Sequence, residues 1–261
     1  MLSDIITGNS FGADRIDYLL RDSHHAGVAY GRFDYHRLIQ CMRILPRFDQ
    51  ESDEPALGLE IGELESSEAL MLARYFMFKQ VYYHPVRRAY DMHLKEFMKA
   101  WLKNGMYPTD VEEHLKITDA ELTSAIRTAA RDPKLAGHNS ACKIENRDHF
   151  RLLYAATPAD KASRLADETI EQLRPGQKIA EAAAEKFGKE FIRYDYLAPK
   201  QAVPDFPVFN HDKSIESSAR LSDVLQRLPI LEVDCVYCDS NIRADAKKWR
   251  NENKNKILGL A

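Results

Sequence analysis

The spacing of apolar residues divides the chain into helical and extended stretches. From Gly12 to His25, a helical wheel puts Ile16, Leu19 and Leu20 in a core-facing stripe at roughly 140–240°. Asp14, Tyr18 and Asp22 fall at roughly 0°, 40° and 80° on the opposite side, with Arg15 near 100° on its rim. Phe33 to Leu45 reads as a second helix stopped by Pro46, and Glu51 to Pro55 as an acidic turn. Leu57, Leu59 and Ile61 alternate with Gly58, Glu60 and Gly62, as in a short strand. Ser66 and Ser67 are N-cap candidates for a long helix through Leu70, Leu72, Tyr75, Phe76 and Val81. His84-Pro85 interrupts it, and Pro85 suits the first turn of a helix ending near Asn104-Gly105. Thr118 and Glu121 form a capping box for a helix through Ala130.

From about Ala155 the pattern changes. Pro158 opens a helix to about Leu173, which Pro175-Gly176 breaks. Phe191, Tyr194 and Tyr196 suggest an extended segment, and Pro199, Pro204 and Pro207 punctuate a loop. A strand near Val208, a helix from Ser218 to Leu228, a strand from Leu231 to Tyr237 and a polar helix from about Ile242 complete the series. The expected fold is mainly α with a smaller α+β C-terminal lobe, divided into residues 1–157 and 158–261.

Composition narrows the possible functions. The 261 residues are 44% hydrophobic and 30% charged with a net charge of −3, enough to bury a core and without the basic bias of a nucleic-acid binder. No apolar run is long enough for a membrane span, and the N-terminus has no secretory pattern. Four cysteines in a chain of this length do not suggest a disulfide framework, so the cytoplasm is expected. Cys235 and Cys238 form a lone Cys-x-x-Cys inside an alternating strand, where Cys235 suits a core position. His211-Asp212, the sole His-Asp pair, sits in a polar turn.

An acidic and aromatic face opposite an apolar stripe is also what a solvent-facing helix shows. A resemblance favours a chemical role. Asp14-Arg15-Ile16-Asp17-Tyr18-Leu19-Leu20-Arg21-Asp22-Ser23-His24-His25-Ala26-Gly27, followed by Gly31-Arg32-Phe33-Asp34-Tyr35, resembles the last metal-ligand helix of HD-domain phosphohydrolases. The similarity is to the deoxynucleoside triphosphate triphosphohydrolase branch, the dGTPase-like and SAM-and-HD-domain proteins, and Arg87-Arg88-Ala89-Tyr90 resembles a second motif of that branch.

The resemblance implies hydrolysis of a deoxynucleoside triphosphate to the deoxynucleoside plus triphosphate. Asp14 matches the final Asp of a His/His-Asp/Asp divalent-metal site, so it stands as the catalytic and metal-ligand candidate. Arg15 matches a phosphate-binding Lys, Tyr18 and Asp22 match sugar contacts, and Tyr90 matches a sugar-packing Tyr. The branch has an Arg eight residues before that Tyr, where this chain has Tyr82 with Lys79 nearby, and Asp91 stands where the branch has Gln. Arg147 aligns loosely with an allosteric nucleotide contact.

The expected His and His-Asp ligands do not precede Asp14. The chain is therefore expected to be the C-terminal part of such an enzyme, inactive alone and completed by an N-terminal HD segment or a partner chain carrying it. Homo-oligomerisation is implied by the resemblance. The alternative is a non-catalytic nucleotide-binding or oligomerisation module.

Overall fold

A computed structural model describes residues 2–47, 54–162, 173–198 and 204–260. The chain is mainly helical with two small sheets, as the periodicities predict. After α1 (Leu2–Thr7), α2 (Ala13–His25) buries Ile16 and Leu19. It ends in a Schellman turn, with Gly27 at φ +67°, its N–H on His24 O (3.1 Å) and Val28 N–H on Ser23 O (3.0 Å). α3 (Tyr35–Cys41) starts where Asp34 Oδ1 accepts from Arg37 N (3.0 Å).

The helix expected over 33–45 is cut short, because Met42–Leu45 is strand β1. It pairs antiparallel with β2 (Ala56–Glu60), Met42 opposite Leu59 and Leu45 opposite Ala56. A distant pairing partner has overridden local helical spacing. Of the acidic turn at Glu51 to Pro55, residues 51–53 lie outside the described residues.

α4 (Leu64–Met77) starts ahead of the expected caps. Ser67 is instead buried in its first turn, donating to Leu64 O at 2.6 Å. A π-helical turn, Phe78–Tyr82, leads to α5 (Pro85–Trp101), whose start is capped by His84 Nδ1 accepting from Val86 N at 3.3 Å. α6 (Val111–Leu115), α7 (Asp119–Arg131) and α8 (His138–Glu145) follow, and Thr118 Oγ1 caps α7 by accepting from Glu121 N at 3.3 Å.

β3 (Arg151–Ala155) and α9 (Pro158–Ala162) come next. Residues 163–172 of the helix expected from Pro158 to Leu173 lie outside the described residues. Pro175-Gly176, read as a breaker, opens α10 (Pro175–Phe187). The Asp234 carboxylate accepts from Gly176 N at 3.2 Å and caps that end. Among the last elements are β4 (Ile192–Leu197), β5 (Pro207–Phe209) and β6 (Ile215–Ser217). Of the expected proline loop, Pro199 lies outside the described residues.

The helix expected over 218–228 is two, α11 (Ser218–Leu221) and α12 (Asp223–Arg227). Ser222 separates them and caps the second, accepting from Leu225 N at 3.0 Å. β7 (Val233–Cys238) and α13 (Arg243–Leu258) close the series.

Two compact units result, and both are discontinuous. One comprises Met1–Tyr83 and Ala198–Glu232, the other His84–Leu197 and Val233–Ala261. The first holds the sheet β1-β2-β5-β6, in which β2 and β5 run parallel, over a core of Leu19, Leu38, Leu59, Met71, Met77, Phe206 and Val208. The second holds the antiparallel sheet β3-β7-β4 against Ile179, Ala183 and Leu258 of α10 and α13. Among the described residues no helix is long and apolar enough to cross a membrane.

Candidate functional site

The apolar stripe of α2 fixes which way its polar face points. With Ile16 and Leu19 buried, Asp14 is exposed and Tyr18 and Asp22 are half-buried along one line. Gly12 makes room at the start of that line, since a Cβ there would meet Asp14 Oδ1 at 2.8 Å and Gly8 N at 2.7 Å. Among the described residues none donates a hydrogen bond to the Asp14 carboxylate. Arg15 turns back onto the α1–α2 loop, with Nε on Gly8 O at 2.7 Å and Nη2 on Asn9 Oδ1 at 2.8 Å.

The next wall comes from α4 and its π turn. Arg74, Phe78 and Tyr82 recur every four residues, and π turns are frequent at functional sites. Tyr82 donates its hydroxyl to Asp22 Oδ2 at 2.8 Å and packs edge-on against Tyr18, centroids 6.1 Å apart. Burial, with the Asp22 carboxylate adding to it, pushes the Tyr82 phenol far above its ordinary range, so it stays a donor. Asp22 Oδ1 keeps Arg21 Nε at 3.8 Å. Arg74 donates from Nη1 to Asn9 O at 2.9 Å, and its guanidinium lies 5.8 Å from the Phe78 ring centroid.

Sequence reasoning missed Arg74, although its spacing of four and eight residues from Phe78 and Tyr82 was visible. Lys79, the cation noted near Tyr82, is instead exposed on Tyr75, 3.2 Å from its hydroxyl.

Tyr90 belongs to the second unit. It is half-buried on α5 with its ring 4.8 Å from that of His149. In the same motif Arg88 forms a two-pronged pair with buried Asp195, Nε to Oδ2 2.8 Å and Nη2 to Oδ1 2.6 Å. Arg87 lies 3.7 Å from Asp91. Arg147 is exposed at φ +56°.

His211-Asp212 lies in the exposed β5–β6 turn, where Asp212 accepts from Ser214 N at 2.9 Å. Burial pushes the Cys235 and Cys238 thiols up to about 11, so both stay protonated at neutral pH. Among the described residues no three His, Cys, Asp or Glu side chains gather as a metal-ligating group.

The family model described as "HD associated region" matches residues 33–228. That span begins after α2 and takes in Arg74, Tyr82 and Tyr90. YwfO of Bacillus subtilis is 36% identical over 93 residues, 36% of this chain and 20% of that protein. The deoxynucleoside triphosphate triphosphohydrolase SAMHD1 of Gallus gallus is 26% identical over 271 residues, 92% of this chain and 43% of that protein. A solved structure of a hypothetical protein from Aquifex aeolicus aligns with a TM-score of 0.72 at 28% identity, covering 95% of this chain and 59% of that one. The chain thus spans less than two thirds of each of these relatives. A match over most of its length places it in a family: the chain belongs to the HD associated region family.

Proposed function

We propose that this chain forms one wall of an HD-type phosphohydrolase site that converts a deoxynucleoside triphosphate to the deoxynucleoside and triphosphate. The observation that carries the reading is the α2 face. Asp14 is exposed with no hydrogen-bond donor among the described residues, while Asp22, two turns on, is fixed by Tyr82. One such carboxylate fits a divalent ion as a single ligand, not as a complete shell. The remaining ligands come from outside the described residues, on an HD segment or a partner chain. A divalent ion bound there supplies a Lewis acid for a phosphoryl oxygen.

The chain's own groups do the positioning. Arg15 holds phosphate through a guanidinium already oriented by Gly8 and Asn9. Tyr82 occupies Asp22 Oδ2 and leaves Oδ1 to accept from the sugar 3′-hydroxyl. Tyr18 lies beside Tyr82 as a flat apolar surface for the sugar. The similarity to SAMHD1 of Gallus gallus, with its named activity, supports this substrate class.

The test is triphosphate release from the four common deoxynucleoside triphosphates, with a divalent ion, by the protein as its host makes it and by Asp14→Ala. The reading expects release that falls at least about 100-fold in the variant, equivalent to about 2.7 kcal/mol. Release unchanged by the substitution contradicts it. Nucleotide binding without turnover in the unaltered protein makes the chain a binding module instead.

A further inference from the structure

Two guanidinium groups meet at one exposed residue of the first unit. Arg15 reaches Asn9 from α2 through Nη2 on the side-chain oxygen at 2.8 Å. Arg74 reaches it from α4 through Nη1 on the backbone oxygen at 2.9 Å. Both acceptors are neutral, as is Gly8 O, which takes Arg15 Nε. No carboxylate bonds to either guanidinium among the described residues. Bringing like charges together costs free energy unless an anion sits between them. Burial depresses the affinity of Arg74 for its proton, and the charge of Arg15 opposes it further, while Tyr18 and Asp14 act the other way. Arginine keeps its charge under such pressure, so the pair stays doubly cationic.

The loop uses few of the donors. Each guanidinium carries five N–H donors in a planar fork. Arg15 commits two atoms and Arg74 one. The Phe78 ring backs Arg74, which limits where its remaining donors can point. The branch that the chain resembles has an Arg at position 82, where this chain has a tyrosine bonded to Asp22. Arg74 lies two helical turns earlier in the same four-residue series.

We propose that Arg74 is a further substrate-binding residue, which together with Arg15 clamps the polyphosphate chain of the nucleotide. This rests on the reading of α2 given above, but concerns anion binding alone and can fail separately from it.

The test is binding of inorganic triphosphate and of deoxyguanosine, measured calorimetrically in EDTA with the intact protein. Arg74→Gln should weaken triphosphate binding about tenfold and leave deoxyguanosine binding unchanged. Arg74→Lys keeps the charge without the fork and should give a smaller loss at an unchanged melting temperature, which guards against a Gln variant that does not fold. Unchanged triphosphate affinity in both variants overturns the proposal. So does an equal loss for triphosphate and deoxyguanosine, which would make Arg74 a purely structural brace. If Asp14→Ala spares turnover while Arg74→Gln weakens triphosphate binding, the hydrolase reading fails and the clamp stands. The reverse pattern removes the clamp and keeps the hydrolase.

Discussion

Tyr82 carries a hydroxyl where the resemblance leads one to expect a cation, and it gives that hydroxyl to Asp22 at 2.8 Å. Tyr82→Phe keeps the ring and its contacts with Tyr18 and Phe78 and removes this bond. A half-buried bond to a carboxylate is worth about 1 kcal/mol net, so denaturant melts should show a loss of that size. A variant as stable as the parent would mean that water replaces the hydroxyl at no cost. At this scale the sequence was readable on α2, because a single helix sets Asp14, Tyr18 and Asp22 in line. Arg74 was not singled out, because aromatic neighbours at Tyr75, Phe76 and Phe78 made its helix read as core. Its partner at Asn9 is 65 residues away, a separation that local spacing cannot show.

Elements were legible where their signals were local. Thr118 with Glu121 and His84-Pro85 mark helix ends by their own chemistry, and the structure uses both. Pro175-Gly176 was misread because its deciding partner is distant. Proline is equally at home at a helix's first position, and the cap comes from Asp234 on β7. Asp234 is buried and also accepts from Tyr194 Oη at 3.0 Å. A Cβ at Gly176 would sit 2.1 Å from its Oδ1, so glycine there lets the carboxylate close on the helix. Asp234→Ala should cost about 2 kcal/mol by stranding both donors, read as a lower denaturation midpoint. A loss below a few tenths would show that the cap contributes nothing. β1 was missed for the same kind of reason, since its pairing with β2 decides it.

At the scale of the whole molecule, the chain leaves the first unit at Tyr83, builds most of the second and returns for 198–232. Reading along the sequence favours contiguous divisions, whereas the return shows in the pairing of β2 with β5 and in the packing of Phe206 and Val208 into the first core. Acid tests the second unit. Asp160 is buried and gathers Lys254 Nζ at 2.8 Å, Tyr154 Oη at 2.9 Å and two donors from Thr157. Burial alone would raise its carboxyl, but these partners outweigh it and hold the group at about 2. An unfolded Asp titrates near ~3.9. The stabilisation is therefore complete above that value and lost as pH falls toward about 2, amounting to roughly 2–3 kcal/mol. Asp160→Asn should flatten this part of the stability–pH curve. An unaltered slope would assign acid sensitivity to other groups.

Asp14 can be interrogated without waiting for an assay of turnover. Crystals of the intact protein soaked in Mn²⁺ and measured at the manganese edge should show an anomalous peak within about 2.0–2.3 Å of an Asp14 oxygen, with the peak absent in Asp14→Ala. A manganese ion bound elsewhere, with Asp14 facing solvent and untouched, would contradict the account.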